Sequence, residues 1–155
     1  MLQPGDPAPA FKLAADGGRT IDSKALKGKR HVLYFYPKDN TPGCTREACA
    51  FRDALPAFDK LGVPVFGISA DSAAAHDKFV AKHQLNFTLL ADPGLELLKA
   101  YGVWMEKSLY GRKFMGVQRS TFVVDARGRV EKVWPKVSPD THPEQVRAYL
   151  AGEAQ

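Results

Sequence analysis

Two cysteines are all that this chain carries in 155 residues. So few excludes the disulfide framework that staples small secreted domains. The chain also lacks any apolar run approaching the roughly 18 residues of a membrane span. It has no basic segment followed by an apolar run at its start, and no linker, repeat or low-complexity tract. One cytoplasmic domain over residues 1–155, with no membrane association, is the expectation. The four histidines, His31, His76, His83 and His142, stand in no metal-ligand spacing with the cysteines, so neither a metal nor a cofactor is expected. Nor does the net charge of +5 indicate nucleic acid. Bases alternate with acids along the chain, the concentrations at Arg112-Lys113 and 127–136 read as solvated surface, and no recognition motif accompanies them.

With 45% hydrophobic residues the chain can build a core without staples. Phe11 to Leu13 and Arg19 to Ile21 flank Asp16-Gly17-Gly18, a hairpin turn signal. Val32 to Tyr36 and Val63 to Ile68 read as buried strands separated by a helical pattern, within which Pro56 predicts a kink or interruption. Asp71-Ser72 can cap a second helix; a strand over Phe87 to Leu90 and a short helix from Leu95 to Tyr101 follow. Ser120 to Val124 and Arg129 to Trp134 form a hairpin, and Thr141 with Glu144 makes a capping box for a last helix. Strands separated by helices predict an α/β fold: a mixed sheet with parallel pairs, helices on both faces and an N-terminal β-hairpin. In such sheets chemistry gathers beyond the carboxyl ends of the strands.

Cys44 lies just beyond one such end. After Val32 to Tyr36 come Pro37, Asp39, Asn40, Pro42 and Gly43, all turn formers; Cys44 then opens a pattern in which Ala48, Phe51, Leu55 and Phe58 recur every three or four residues. In the first turn of a helix, unpaired N–H groups and the positive end of the dipole favour an anion, here a thiolate. Cys49 is five residues on, a rise of about 7.5 Å and a rotation of about 140° in an intact helix. Their Cα atoms would then be about 8.5 Å apart, beyond the roughly 7 Å that a disulfide spans. Bonding them requires the helix start to unwind. The pair is either a reactive and a resolving cysteine or two structural thiols, and the helix-start context favours the first.

The spacing Pro37-x3-Thr41-x2-Cys44 resembles the peroxiredoxin active-site motif. The run from Tyr34 to Cys49 is similar to the bacterioferritin comigratory protein (PrxQ) subfamily, as are Pro4 to Pro9 and Arg119 to Asp125. The resemblance implies a thioredoxin-like fold and an atypical 2-Cys thiol peroxidase in antioxidant defence, acting on hydrogen peroxide and organic hydroperoxides. It implies that Cys44 attacks the peroxide, that Cys49 resolves the sulfenic acid as an intramolecular disulfide, and that a thioredoxin-like dithiol reduces the disulfide. Thr41 would hydrogen-bond the thiolate and the peroxide, Pro37 would wall the pocket, and Arg119 with the N–H groups of Gly43 and Cys44 would stabilise developing charge. Glu47 would orient an arginine, or be only an acid in a first turn. A monomer is implied as well. Trp104 and Trp134 read as packing residues, and the 101–114 segment as a loop over the site. A copper chaperone would leave Pro37 and Thr41 without a role. A thioredoxin-type oxidoreductase would want Cys-x2-Cys and a proline before the strand near position 120, where this chain has Gln118-Arg119-Ser120.

Overall fold

The computed structural model describes residues 1–153. A small antiparallel pair, β1 (Lys12–Ala14) and β2 (Thr20–Asp22), turns through Asp16–Gly18 as the glycines predict. The main chain then builds β3 (His31–Phe35), α1 (Pro42–Leu61), β4 (Val65–Ser69), α2 (Ala73–His83), β5 (Thr88–Ala91) and α3 (Glu96–Ala100). Next come β6 (Trp104–Leu109), β7 (Arg112–Val117), β8 (Ser120–Val124), β9 (Val130–Trp134) and α4 (His142–Leu150).

Five strands form the central sheet in the order β5-β4-β3-β8-β9. The pairs β3·β4 and β4·β5 are parallel, whereas β8 runs antiparallel to both β3 and β9. Every residue of β3, β4 and β8 is buried, which is why these segments read as continuous apolar runs rather than alternating ones. One side of the sheet packs Tyr34, Phe51, Phe58, Phe79 and Val146, from β3, α1, α2 and α4. The other packs Leu33, Phe35, Leu98, Tyr101 and Phe122, with α3 and the N-terminal strands. Among the described residues no helix is long and apolar enough to cross a membrane.

Three local expectations are corrected. Helix α1 runs unbroken through Pro56. Proline lacks the N–H that would pair with the carbonyl four residues earlier, and here Asn86 Nδ2 donates to that very group, the Arg52 carbonyl, at 3.1 Å. The 101–114 segment is no loop: β6 and β7 pair antiparallel across Tyr110-Gly111, both left-handed at φ 51° and 76°. Two consecutive positive φ values make the tight turn whose twist suits a two-residue hairpin, and a tyrosine in the first place disguised it. At α4, Thr141 makes no side-chain cap, and Glu144 pairs with Arg147 instead. Ser72 does cap α2, its hydroxyl accepting from the Ala75 N–H.

Candidate active site

The loop from Pro37 to Thr41 joins the carboxyl end of β3 to the start of α1. Thr41 is the N-cap in extended conformation, its carbonyl accepting from the Thr45 N–H at 2.8 Å, and Pro42 occupies the first helical position, where its missing N–H costs nothing. Cys44 is thus the third residue of a helix of 20 residues, its side chain turned inward and 2% exposed. The N–H groups of Gly43 and Cys44, in the first turn, have no intrahelical acceptor. Cys49 is partly exposed on the same unbroken helix, and both thiols are free.

The residue brought farthest to the site is Arg119. Register explains its arrival: β8 pairs antiparallel with β3, with Phe35 opposite Ser120, so the residue before β8 lies beside the loop that leaves β3. Its Nη2 lies 3.2 Å from Cys44 Sγ, and its Nη1 donates to Glu47 Oε1 at 2.7 Å. Gly43 makes room for it, since a Cβ at that position would stand 3.3 Å from Nη2. Burial acts to lower the Arg119 pKa, and the negative charges of Glu47 and Cys44 outweigh it, leaving the guanidinium firmly protonated.

Glu47 follows Cys44 by three residues, on the same helical face, and is wholly buried. It reaches Arg119 rather than open space. Burial pushes its carboxyl up to about 7 against the pull of Arg119. Its second oxygen, Oε2, is buried without a hydrogen-bond partner. Thr41 differs from the expectation: its hydroxyl donates to the Lys38 carbonyl at 2.9 Å, so that proton is not offered to the Cys44 sulfur. A hydroxyl so committed keeps its lone pairs as acceptors. Pro37 is half-buried at the head of the loop.

Sequence reasoning missed three titratable groups here. Lys107, on β6, donates from Nζ to the Val117 carbonyl at 2.8 Å. Burial lowers its pKa, the neighbouring Arg119 lowers it further, and the Cys44 charge opposes both. Recognising the 104–117 hairpin would have found it, because cross-strand pairing sets Lys107 against Phe114, three residues before Val117. The others are Asp39 and His76, joined at 2.6 Å. A buried aspartate in a turn has no sequence signal of its own.

The arrangement is a thiol at a helix start, bridged by a guanidinium to a buried carboxylate: an anion site with a nucleophile in it. Residues 4–133 match the model of the AhpC/TSA family. Peroxiredoxin Bcp of Bacillus subtilis is 46% identical over 141 residues, 91% of this chain and 90% of that protein. A structure of peroxiredoxin Q from Xanthomonas campestris superposes with a TM-score of 0.87 at 41% identity, covering 94% of this chain and 92% of that one. A cysteine-to-serine variant of PrxQ from Xylella fastidiosa gives a TM-score of 0.93 at 34% identity, over 98% and 97% of the two chains.

Proposed function

Because this chain belongs to the AhpC/TSA family and is a thiol-dependent peroxidase of thioredoxin-like fold, we propose that Cys44 is its peroxide-attacking residue and Cys49 its resolving one. The observation that carries this reading is the single guanidinium, Arg119, that touches both Cys44 Sγ and the buried Glu47.

The Cys44 thiolate attacks the nearer oxygen of a hydroperoxide ROOH. An S–O bond forms, the O–O bond breaks, and RO⁻ leaves to take up a proton as water or alcohol, with cysteine sulfenic acid remaining. A free thiol is about 3% ionised at pH 7, so complete ionisation supplies only about thirtyfold. The rest of the acceleration falls to donors fixed around the charge that spreads over the two peroxide oxygens, each worth a few kcal/mol. Arg119 is such a donor, with the N–H groups at Gly43 and Cys44 beside it. Thr41, its proton committed to Lys38, acts as acceptor for the peroxide O–H and so selects the neutral peroxide in one orientation. Pro37 closes the side of the pocket.

The Cys49 thiol then displaces water from the sulfenic acid to form the disulfide. The 20-residue helix that holds both cysteines cannot close this bond, so its first turns unwind. A dithiol of thioredoxin type restores the thiols by exchange. We place the enzyme in the cytoplasm, as a monomer acting through one domain.

The test mixes reduced protein with hydrogen peroxide and follows thiol loss. Cys44→Ser is expected to lose reactivity. Cys49→Ser reacts but stalls at sulfenic acid or at intermolecular disulfides. A Cys44→Ser protein consuming peroxide at the wild-type rate overturns the assignment.

A further inference from the structure

Behind the loop that carries Pro37 and Thr41 lies a second buried polar cluster that the peroxidase chemistry leaves unused. Tyr36 Oη donates to Asp39 Oδ1 at 2.5 Å, and Asp39 Oδ2 meets His76 Nδ1 at 2.6 Å. His76 Nε2 in turn donates to the Leu90 carbonyl of β5 at 2.9 Å. The Asp39 backbone N–H donates to Asp71 Oδ2 at 2.9 Å, and Asp71 is held by the Ser69 hydroxyl at 2.6 Å. The next residue, Asn40, is in the left-handed conformation at φ 64°, with its side-chain oxygen accepting from Lys82 Nζ at 3.0 Å. Asp39 is therefore tied at three points, two residues before Thr41: to Tyr36 just beyond β3, to Asp71 between β4 and α2, and to His76 on α2.

We propose that Asp39 is a positioning residue for peroxide reduction: pinned by Tyr36, His76 and Asp71, it fixes the loop that presents Pro37 and Thr41 to the oxidant without itself touching it. A turn of five residues containing a left-handed asparagine has many alternatives of similar energy. Misplacing an oriented group by about 1 Å costs on the order of a hundredfold in rate. Full satisfaction of the carboxylate in a low-dielectric interior is what such a network needs to specify one geometry. Burial acts to lower the His76 pKa, yet the hydrogen bond and charge of Asp39 raise it overall.

The inference rests on the assignment of Cys44 as peroxidatic, and the test separates the two. Two second-order rates of Cys44 are compared: with hydrogen peroxide, which needs Thr41 and Pro37 in place, and with iodoacetamide, which needs only an accessible thiolate. Asp39→Ala is expected to lose about thirtyfold toward peroxide and to stay within twofold toward iodoacetamide. Asp39→Asn can accept from Tyr36 and donate to a neutral His76, and recovers most of that loss. Tyr36→Phe, which keeps the ring in its packing, folds in any case and loses about threefold toward peroxide alone. A wild-type peroxide rate in Tyr36→Phe or Asp39→Ala overturns the inference, as does a parallel fall of both rates. If instead the wild-type protein reacts with peroxide no faster than a free thiol, it is the Cys44 assignment that fails.

Discussion

Two buried carboxylates stand on either side of Thr41 in the chain, one inside the Pro37–Thr41 loop and one on α1, and they are satisfied to different degrees. Asp39 has both oxygens hydrogen-bonded, to Tyr36 and to His76. Glu47 has one oxygen on Arg119 and the other on nothing. The saturated acid has each oxygen engaged by a side chain from a neighbouring segment, Tyr36 on one side and His76 on the other. The under-satisfied one costs stability, since an unpaired buried acceptor loses its solvation without return. What it obtains is a guanidinium fixed at one nitrogen while the other is free to face Cys44. The pair nearer the chemistry is the less comfortable one.

The largest expected effect removes the shared member of the functional pair. Arg119→Ala should lower the second-order rate with peroxide by about 10²–10³, the usual loss of one charge-stabilising donor, with an unchanged circular dichroism spectrum. A wild-type rate would remove Arg119 from the site and leave the two carboxylates equivalent. Glu47→Gln keeps a side-chain oxygen for Arg119 but not its charge, and should cost about tenfold in the same rate. That loss would fall short of the one in Arg119→Ala because the guanidinium stays near the sulfur.

A third measurement is thermodynamic. Glu47 titrates near 7 in the folded chain against an ordinary 4.5, so between those values the folded state holds a proton that the unfolded state has lost. Its contribution to stability therefore falls as pH rises through that window. His142 runs oppositely: burial pushes it down to about 4 from 6.5, so its contribution rises with pH between those values. In Glu47→Gln the falling component disappears, and urea midpoints from pH 4.5 to 7 should climb more steeply than in wild type, by on the order of 1 kcal/mol per pH unit. Equal slopes would mean that Glu47 is not the uncomfortable acid described here. The smallest effect concerns Tyr34 and Tyr36, both buried on one face of the same chain segment. The Tyr34 hydroxyl has no partner, whereas that of Tyr36 holds Asp39. Tyr34→Phe should be neutral or stabilising by up to about 1 kcal/mol, and Tyr36→Phe destabilising by about 1–2 kcal/mol, in denaturant unfolding.

Most of the fold was legible because its signals are local. Apolar runs marked β3, β4 and β8, and Gly17-Gly18 marked the first turn. The errors came where a distant residue or an unusual one replaced the local signal. Asn86 accepts the role of the N–H that Pro56 lacks, so α1 does not break. Tyr110 adopts a positive φ that a glycine or asparagine would have announced, so the 101–114 segment was read as a loop. In the site, Cys44 and Cys49 could be singled out by placement and spacing within one segment, and Thr41 and Pro37 by the motif resemblance of that same segment. Arg119 was reached only through resemblance, and the partner of Glu47 was left open between an arginine and the helix dipole.

The sequence by itself determined that a cysteine stands in the first turn of a helix, and that a second one five residues on lies too far away to bond while the helix is intact. Both follow from covalent spacing and the rise and rotation of a helix. Only the tertiary structure decided which groups meet the sulfur and which hold the loop. Arg119 is brought to Cys44 by the antiparallel register of β8 on β3. His76 is brought to Asp39 by the packing of α2 against the sheet, across 37 residues of chain. Such meetings depend on how the sheet and its helices assemble, and no stretch of sequence carries that information alone.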